Sequence, residues 1–78
     1  MNEIRFSGFV DTPPIDGEDG ALDFTLSYSK ILVQVLCRKK LAEVRKLKLK
    51  HGSRVTVEGH LDSDGDLFIV ADVVRRGI

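Results

Sequence analysis

Eight of the twelve Lys and Arg residues fall between Arg38 and Arg54: Arg38, Lys39, Lys40, Arg45, Lys46, Lys48, Lys50 and Arg54. One acid, Glu43, interrupts them, so a formal net charge of zero hides a local charge of +7. The acids lie elsewhere: residues 1–29 carry six against Arg5, and residues 55–74 carry five with no Lys or Arg. Cations gathered in this way make a surface that a polyanion can use. A Lys contributes a point charge to a phosphate, whereas an Arg can pair with a phosphate and also lie flat on a base.

Other chemistry is thin. Asp62–Asp66 (DSDGD) has the composition of a calcium loop but not its spacing. An EF-hand needs Gly at the sixth position and a bidentate Glu at the twelfth, and here Gly65 comes fourth. Asp64-Gly65 is instead a favoured hairpin pair. His51 and His60 lack carboxylate or thiol partners at metal-ligand spacing and read as surface residues. Cys37, the only cysteine, excludes an internal disulfide and a Cys-based zinc site; mid-strand, it reads as a buried thiol. No nucleophile with a base, no phosphate-binding Gly loop and no acid/base pair is visible. The sequence predicts neither an enzyme nor a bound metal or cofactor.

The elements that position these residues are mostly strands. Ile4–Val10 alternates around Gly8, which predicts a bulge or bend within a strand. Asp11–Gly20 holds both prolines and four acids and reads as a loop (an acidic segment, 11–21). Leu22, Phe24, Leu26 and Tyr28 alternate with polar residues, and the continuous apolar run Ile31–Cys37 follows after a tight turn at Ser29-Lys30. Leu41, Val44, and Leu47 or Lys48 give the one helical spacing, within a basic segment 41–50, with His51-Gly52 as its stop. Val55 and Val57 face inward on the next strand, a turn occupies 62–66, and Leu67–Val74 is the closing strand. Five strands with a helix between the third and fourth suit an all-β, five-stranded Greek-key OB-fold barrel spanning residues 1–78 as a single domain. A five-stranded sandwich or an SH3-like barrel shares the strand count, but the helix position favours the OB fold.

A 78-residue chain buries roughly 60% of its unfolded surface, so association with a second copy is the expected reinforcement. No basic region followed by an apolar run opens the sequence, and the longest apolar windows are too short for a bilayer. A soluble, cytoplasmic protein without a membrane partner is expected.

Leu32–Leu61 resembles the middle of the bacterial single-stranded DNA-binding protein family. There a third strand runs into K/G-L-A-E-x and then L-x-x-G-x-x-V-x-V-E-G-x-L. Lys40-Leu41-Ala42-Glu43-Val44 and Leu49, Gly52, Val55, Val57, Glu58, Gly59 and Leu61 stand in that pattern without a gap. Ile4–Val10 resembles the family's first strand with its internal Gly, and Phe24-Thr25-Leu26-Ser27 its F-T-L-A second strand. Two features depart from the family. Its members stack bases on Trp and Phe, whereas this sequence has no Trp and offers Leu32 and Arg38 on strand three. Nor does it carry, through Ile78, the family's linker and protein-recruiting acidic tail. Both departures resemble the short primosomal replication protein branch, whose members are dimers. The resemblance implies non-specific single-stranded DNA binding in replication or its restart. It also implies a homo-oligomer, a dimer on the primosomal pattern, with other replication proteins as further partners.

On this reading the DNA crosses the outer face of strands two and three. Leu32, Gln34, Leu36 and Arg38 share that parity, leaving Val33, Val35 and Cys37 for the core. Arg38 is the first expected contact. Lys39 and Lys40, read as the end of the same strand, follow phosphates, and Gln34 hydrogen-bonds a base or phosphate. Lys30, Arg54 and Tyr28 assist. Each also has a plainer role as a solvated surface residue, and parity alone puts Tyr28 on the Phe24/Leu26 core face. Phe9 turns outward if Gly8 bends the strand; Phe6, Phe24 and Phe68 are assigned to the core. Arg45, Lys46, Lys48 and Lys50 read as a solvated helix face. Ile4–Val10 is the expected dimer edge. Two other functions fit the same barrel: a protein-interaction scaffold with little nucleic-acid binding, and an RNA-binding OB domain.

Overall fold

Alternation of apolar residues writes most of the barrel. The computed structural model describes residues 3–77, in which five strands carry the fold: β1 (Glu3–Asp16), β2 (Leu22–Tyr28), β3 (Ile31–Cys37), β4 (Arg54–Asp64) and β5 (Asp66–Arg76). One helix, α1 (Leu41–Lys46), lies between β3 and β4. The strands close in the order β1-β2-β3-β5-β4, all pairs antiparallel except β3 with β5. That order, with the helix in that position, is the OB fold.

Inside, Val10, Phe24, Leu26, Val35, Val55, Val57 and Ile69 are fully buried, each one residue from an outward-facing neighbour. Leu22 and Cys37, where β2 begins and β3 ends, share the buried cluster with Val44 of α1 and Leu49. α1 has six residues, too few to persist alone, so burial of Val44 must hold it in place. The Arg76 guanidinium donates to the carbonyls of Leu47 and, at 3.3 Å, of Lys48. It satisfies oxygens that the helix end leaves without partners.

The helix stops earlier than His51-Gly52. Lys48, at φ 49°, takes the left-handed position after the last turn, a place where Gly is usual. Gly52 serves elsewhere: its N–H donates to the Val10 carbonyl at 2.8 Å and ties β1 to the approach of β4. The prolines do not end β1 either. Beyond Phe9 the strand pairs only with β2, and its register shifts between Val10 and Thr12 and again between Thr12 and Ile15. Pro13 and Pro14 lie in that second shift, where no ladder donor is needed.

Gly8 makes no bulge. It pairs in register with Val55, and a Cβ there would lie 2.6 Å from the Ser27 carbonyl oxygen. Gly59 is tighter still, pressed against the backbone of Val70 and Ala71 at the β4–β5 register shift. The β2–β3 turn is tight as expected, with φ positive at both Ser29 and Lys30, the pattern of a type I′ hairpin. The last hairpin turns at Gly65 alone, between paired Asp64 and Asp66. From Glu3 to Gly8, β1 pairs with β4 only, leaving its second edge without a strand among the described residues. No helix among them is long and apolar enough to cross a membrane.

Candidate nucleic-acid interface

The outer face of β3 is as the alternation predicts. Leu32, Gln34 and Arg38 are exposed and Leu36 half-buried, while Val35 and Cys37 are buried. Gln34 is already engaged, its Nε2 donating to both carboxylate oxygens of Asp23 at 3.1 and 3.3 Å. Lys39 and Lys40 are not on the strand. β3 ends at Cys37, whose Sγ donates to the Lys39 carbonyl at 3.1 Å. Lys40 stands before α1 in a left-handed conformation, and Lys39 pairs with Asp72 at 3.2 Å. Arg45, on α1, is tied to Asp16 at 2.7 Å. The basic run is therefore a set of separated cations, of which Lys39 and Arg45 already stand beside a carboxylate.

The candidates divide into two groups. Leu32 lies on β3 and Arg38 one residue past its end, six residues apart, about 20 Å at 3.3 Å per residue. Around Arg38 lies a groove of about 470 Å³, floored by Gln34, Leu36 and Phe68. Its walls carry Glu18 and Asp19 from the β1–β2 connection, Asp23 from β2, and Asp64 and Asp66 from the last hairpin. Five carboxylates thus surround the one Arg. Phe68 belongs to this outer surface and not to the core, because Ile69 and Ala71 take the inward positions of β5.

At the other end the surroundings change. Phe9 pairs with Arg54 on one side and with Ser27 on the other, and Ser27 pairs with Leu32. Arg54, Phe9, Ser27 and Leu32 therefore form one row across β4, β1, β2 and β3. The Arg54 guanidinium carbon lies 5.2 Å from the centre of the Phe9 ring, within cation–π range. Phe9 is 42% exposed, Leu32 62%. In the next row, Ser7 and Thr56 share a hydroxyl hydrogen bond of 2.8 Å. Phe9 needs no bend to face outward: with Ile4, Phe6, Gly8 and Val10 turned inward, Arg5, Ser7 and Phe9 take the outer face. That alternation was available in the sequence.

Tyr28 has the inward parity of Phe24 and Leu26 yet is 60% exposed. It is the last residue of β2, at the barrel end opposite α1, where no element among the described residues covers it. Its ring meets half-buried Phe6 edge-on, with centroids 6.4 Å apart. Lys30 follows in the exposed turn. Burial pushes the Cys37 thiol above its ordinary pKa; a backbone hydrogen bond of Lys39 partly offsets the rise and the Asp72 charge adds to it. The thiol is therefore neutral at pH 7 and unsuited to nucleophilic attack.

No protein-family model matches the chain, and no curated protein sequence matches it. Solved structures do. The dimeric N-terminal domain of PriB from Thermoanaerobacter tencongensis is 24% identical, covers 99% of this chain and 97% of its own, and superposes with a TM-score of 0.77. The second single-stranded DNA-binding protein, SSBb, of Mycobacterium smegmatis is also 24% identical (96% of this chain, 87% of that one; TM-score 0.78). The S. pombe Stn1-Ten1 complex matches 97% of the chain at 17% identity and a TM-score of 0.79. This chain spans 58% of that matched chain. At these identities the likeness is one of architecture: the chain has the OB barrel that these proteins share.

Proposed function

We propose that the protein binds single-stranded DNA without sequence preference, in the cytoplasm, during replication or its restart. The observation that carries this reading is the outer barrel face, on which Phe9 and Leu32 are exposed in one row with Arg54, while Tyr28 and Lys30 are exposed where β2 ends. Single strands are held by stacking surfaces combined with cations that follow the backbone, a pairing that tolerates any base. Likeness of fold to PriB and to SSBb supports the same reading. Lys40, exposed ahead of α1, is a further cation available to a strand. A second copy pairs along the unoccupied Glu3–Gly8 edge, and a monomeric mass by light scattering at micromolar concentration would remove that part of the proposal.

The test is fluorescence anisotropy of a labelled oligo-dT of about thirty nucleotides at about 20, 100 and 300 mM salt, with duplex DNA and oligo-rU as competitors. Salt-sensitive binding that prefers the single DNA strand is expected; absence of binding at the lowest salt refutes the proposal.

One observation favours a second reading, a protein-interaction module. The groove around Arg38, flanked by the two loops through which OB barrels usually take ligands, is walled by carboxylates. A module of that kind would hold its protein partner undisturbed by oligonucleotide.

A further inference from the structure

Resting on the reading above, we infer that the bases of a bound strand stack on Phe9. Arg54 and Leu32 flank that platform, and the strand leaves the groove around Arg38 unoccupied. Charge decides between the two ends of the face. A phosphate entering the Arg38 groove meets Glu18, Asp19, Asp23, Asp64 and Asp66 against one guanidinium. The row Arg54, Phe9, Ser27, Leu32 holds no acid, and neither does the adjoining pair Ser7 and Thr56.

The geometry suits a flexible strand. Four residues on adjacent strands span about 14 Å at 4.8 Å per strand spacing, and faces of this width stack two or three bases. Phe9 presents a ring that is fixed by its strand and steadied by the Arg54 guanidinium against it. That guanidinium is thereby set beside the base it would flank, where its charge reaches the backbone phosphate. A duplex keeps its base faces covered, so this platform selects single strands without reading sequence.

The other occupant to weigh is a second copy of this chain. Two copies meeting on this face about a two-fold axis would bring two Arg54 guanidinium groups onto one seam, and none of the four residues in the row is an acid. The arrangement therefore favours an anionic, aromatic ligand.

Titration of labelled oligo-dT against the full chain and three variants tests the assignment. Phe9→Ala should weaken binding about 5- to 150-fold with an unchanged salt slope, the range for losing one stacked base. Arg54→Gln should lower the slope of log affinity against log salt by about 0.7, one phosphate. Arg38→Gln should alter neither beyond about twofold. Phe9→Trp, the only Trp in the chain, should retain affinity and lose fluorescence as DNA is added. If the wild type binds while Arg38→Gln abolishes binding and Phe9→Ala is silent, the path is wrong and the function stands. If the wild type does not bind at low salt, both fall. If Phe9→Ala halves the molar mass by light scattering along with affinity, the face is a contact between copies and the inference is overturned.

Discussion

Replacing Gly59 by Ala tests the closest backbone approach in the barrel. A Cβ at this position would press into the Val70 carbonyl oxygen and lie 2.9 Å from the carbonyl carbon and 3.0 Å from the Ala71 Cα. All three obstacles are backbone, so no rotamer change relieves them. β5 must instead withdraw from β4 by about 1 Å, against the packing of a filled core. Overpacking of this kind costs about 1–3 kcal/mol, and weakened β4–β5 hydrogen bonds add about 1 kcal/mol, so a loss near 3 kcal/mol is expected. A 78-residue domain has about 4–12 kcal/mol in all. The melting temperature should therefore drop by about 12–24 °C. Urea and thermal unfolding followed by far-ultraviolet circular dichroism measure both quantities. Gly52→Ala is the control, because its added Cβ meets nothing within 4 Å and only its φ of +90° is unfavourable. Its cost should stay within about 1–2 kcal/mol. A Gly59→Ala loss below that of the control would refute the steric argument.

Three further outcomes follow from the same structure. Lys48→Gly removes a side chain from a left-handed position and should raise stability by about 0.5–1 kcal/mol in urea unfolding; a destabilised variant would show that the lysine side chain itself matters there. Arg76→Gln deprives the Leu47 and Lys48 carbonyls of a charged donor, so a loss of about 1.5–3 kcal/mol is expected, with faster amide exchange in α1 than in β2. Cys37 should resist thiol reagents until the protein unfolds. Because its folded pKa is raised, its contribution is complete below the unfolded value and declines as pH rises past about 9; stability that increased above that pH would contradict the burial argument.

The parts of this molecule legible from its sequence are those where one face is buried along the whole element. Leu22, Phe24 and Leu26 against Asp23, Thr25 and Ser27 specify β2 and its register, and Val55 and Val57 do the same for β4. The helix end was not legible, since the residue in the left-handed position is Lys48 and the group satisfying its carbonyls, Arg76, comes twenty-eight residues later. Pro13 and Pro14 read as a break because the sequence does not reveal that β1 has a partner on one side only. Phe68 sits in an apolar run whose alternation is too weak to tell inward from outward. Tyr28 shows the limit of parity, which gives the direction of a side chain but not whether anything covers it. The acidic walls were invisible for a related reason. Glu18-Asp19 and Asp64–Asp66 look like two unrelated turns until barrel closure brings them to one groove.

The parallel pairing of β3 with β5 bears on how the chain is made. β5 lies between β3 and β4, so on a ribosome both neighbours emerge before the strand that joins them. Until Phe68–Ala71 is free to pair with Gln34–Cys37, two strand edges stay open, and open edges are templates for misassembly with other chains. Barrel closure must therefore wait for β5. Its rate is set by a search across more than thirty intervening residues, which places this small domain among the slower folders of its size.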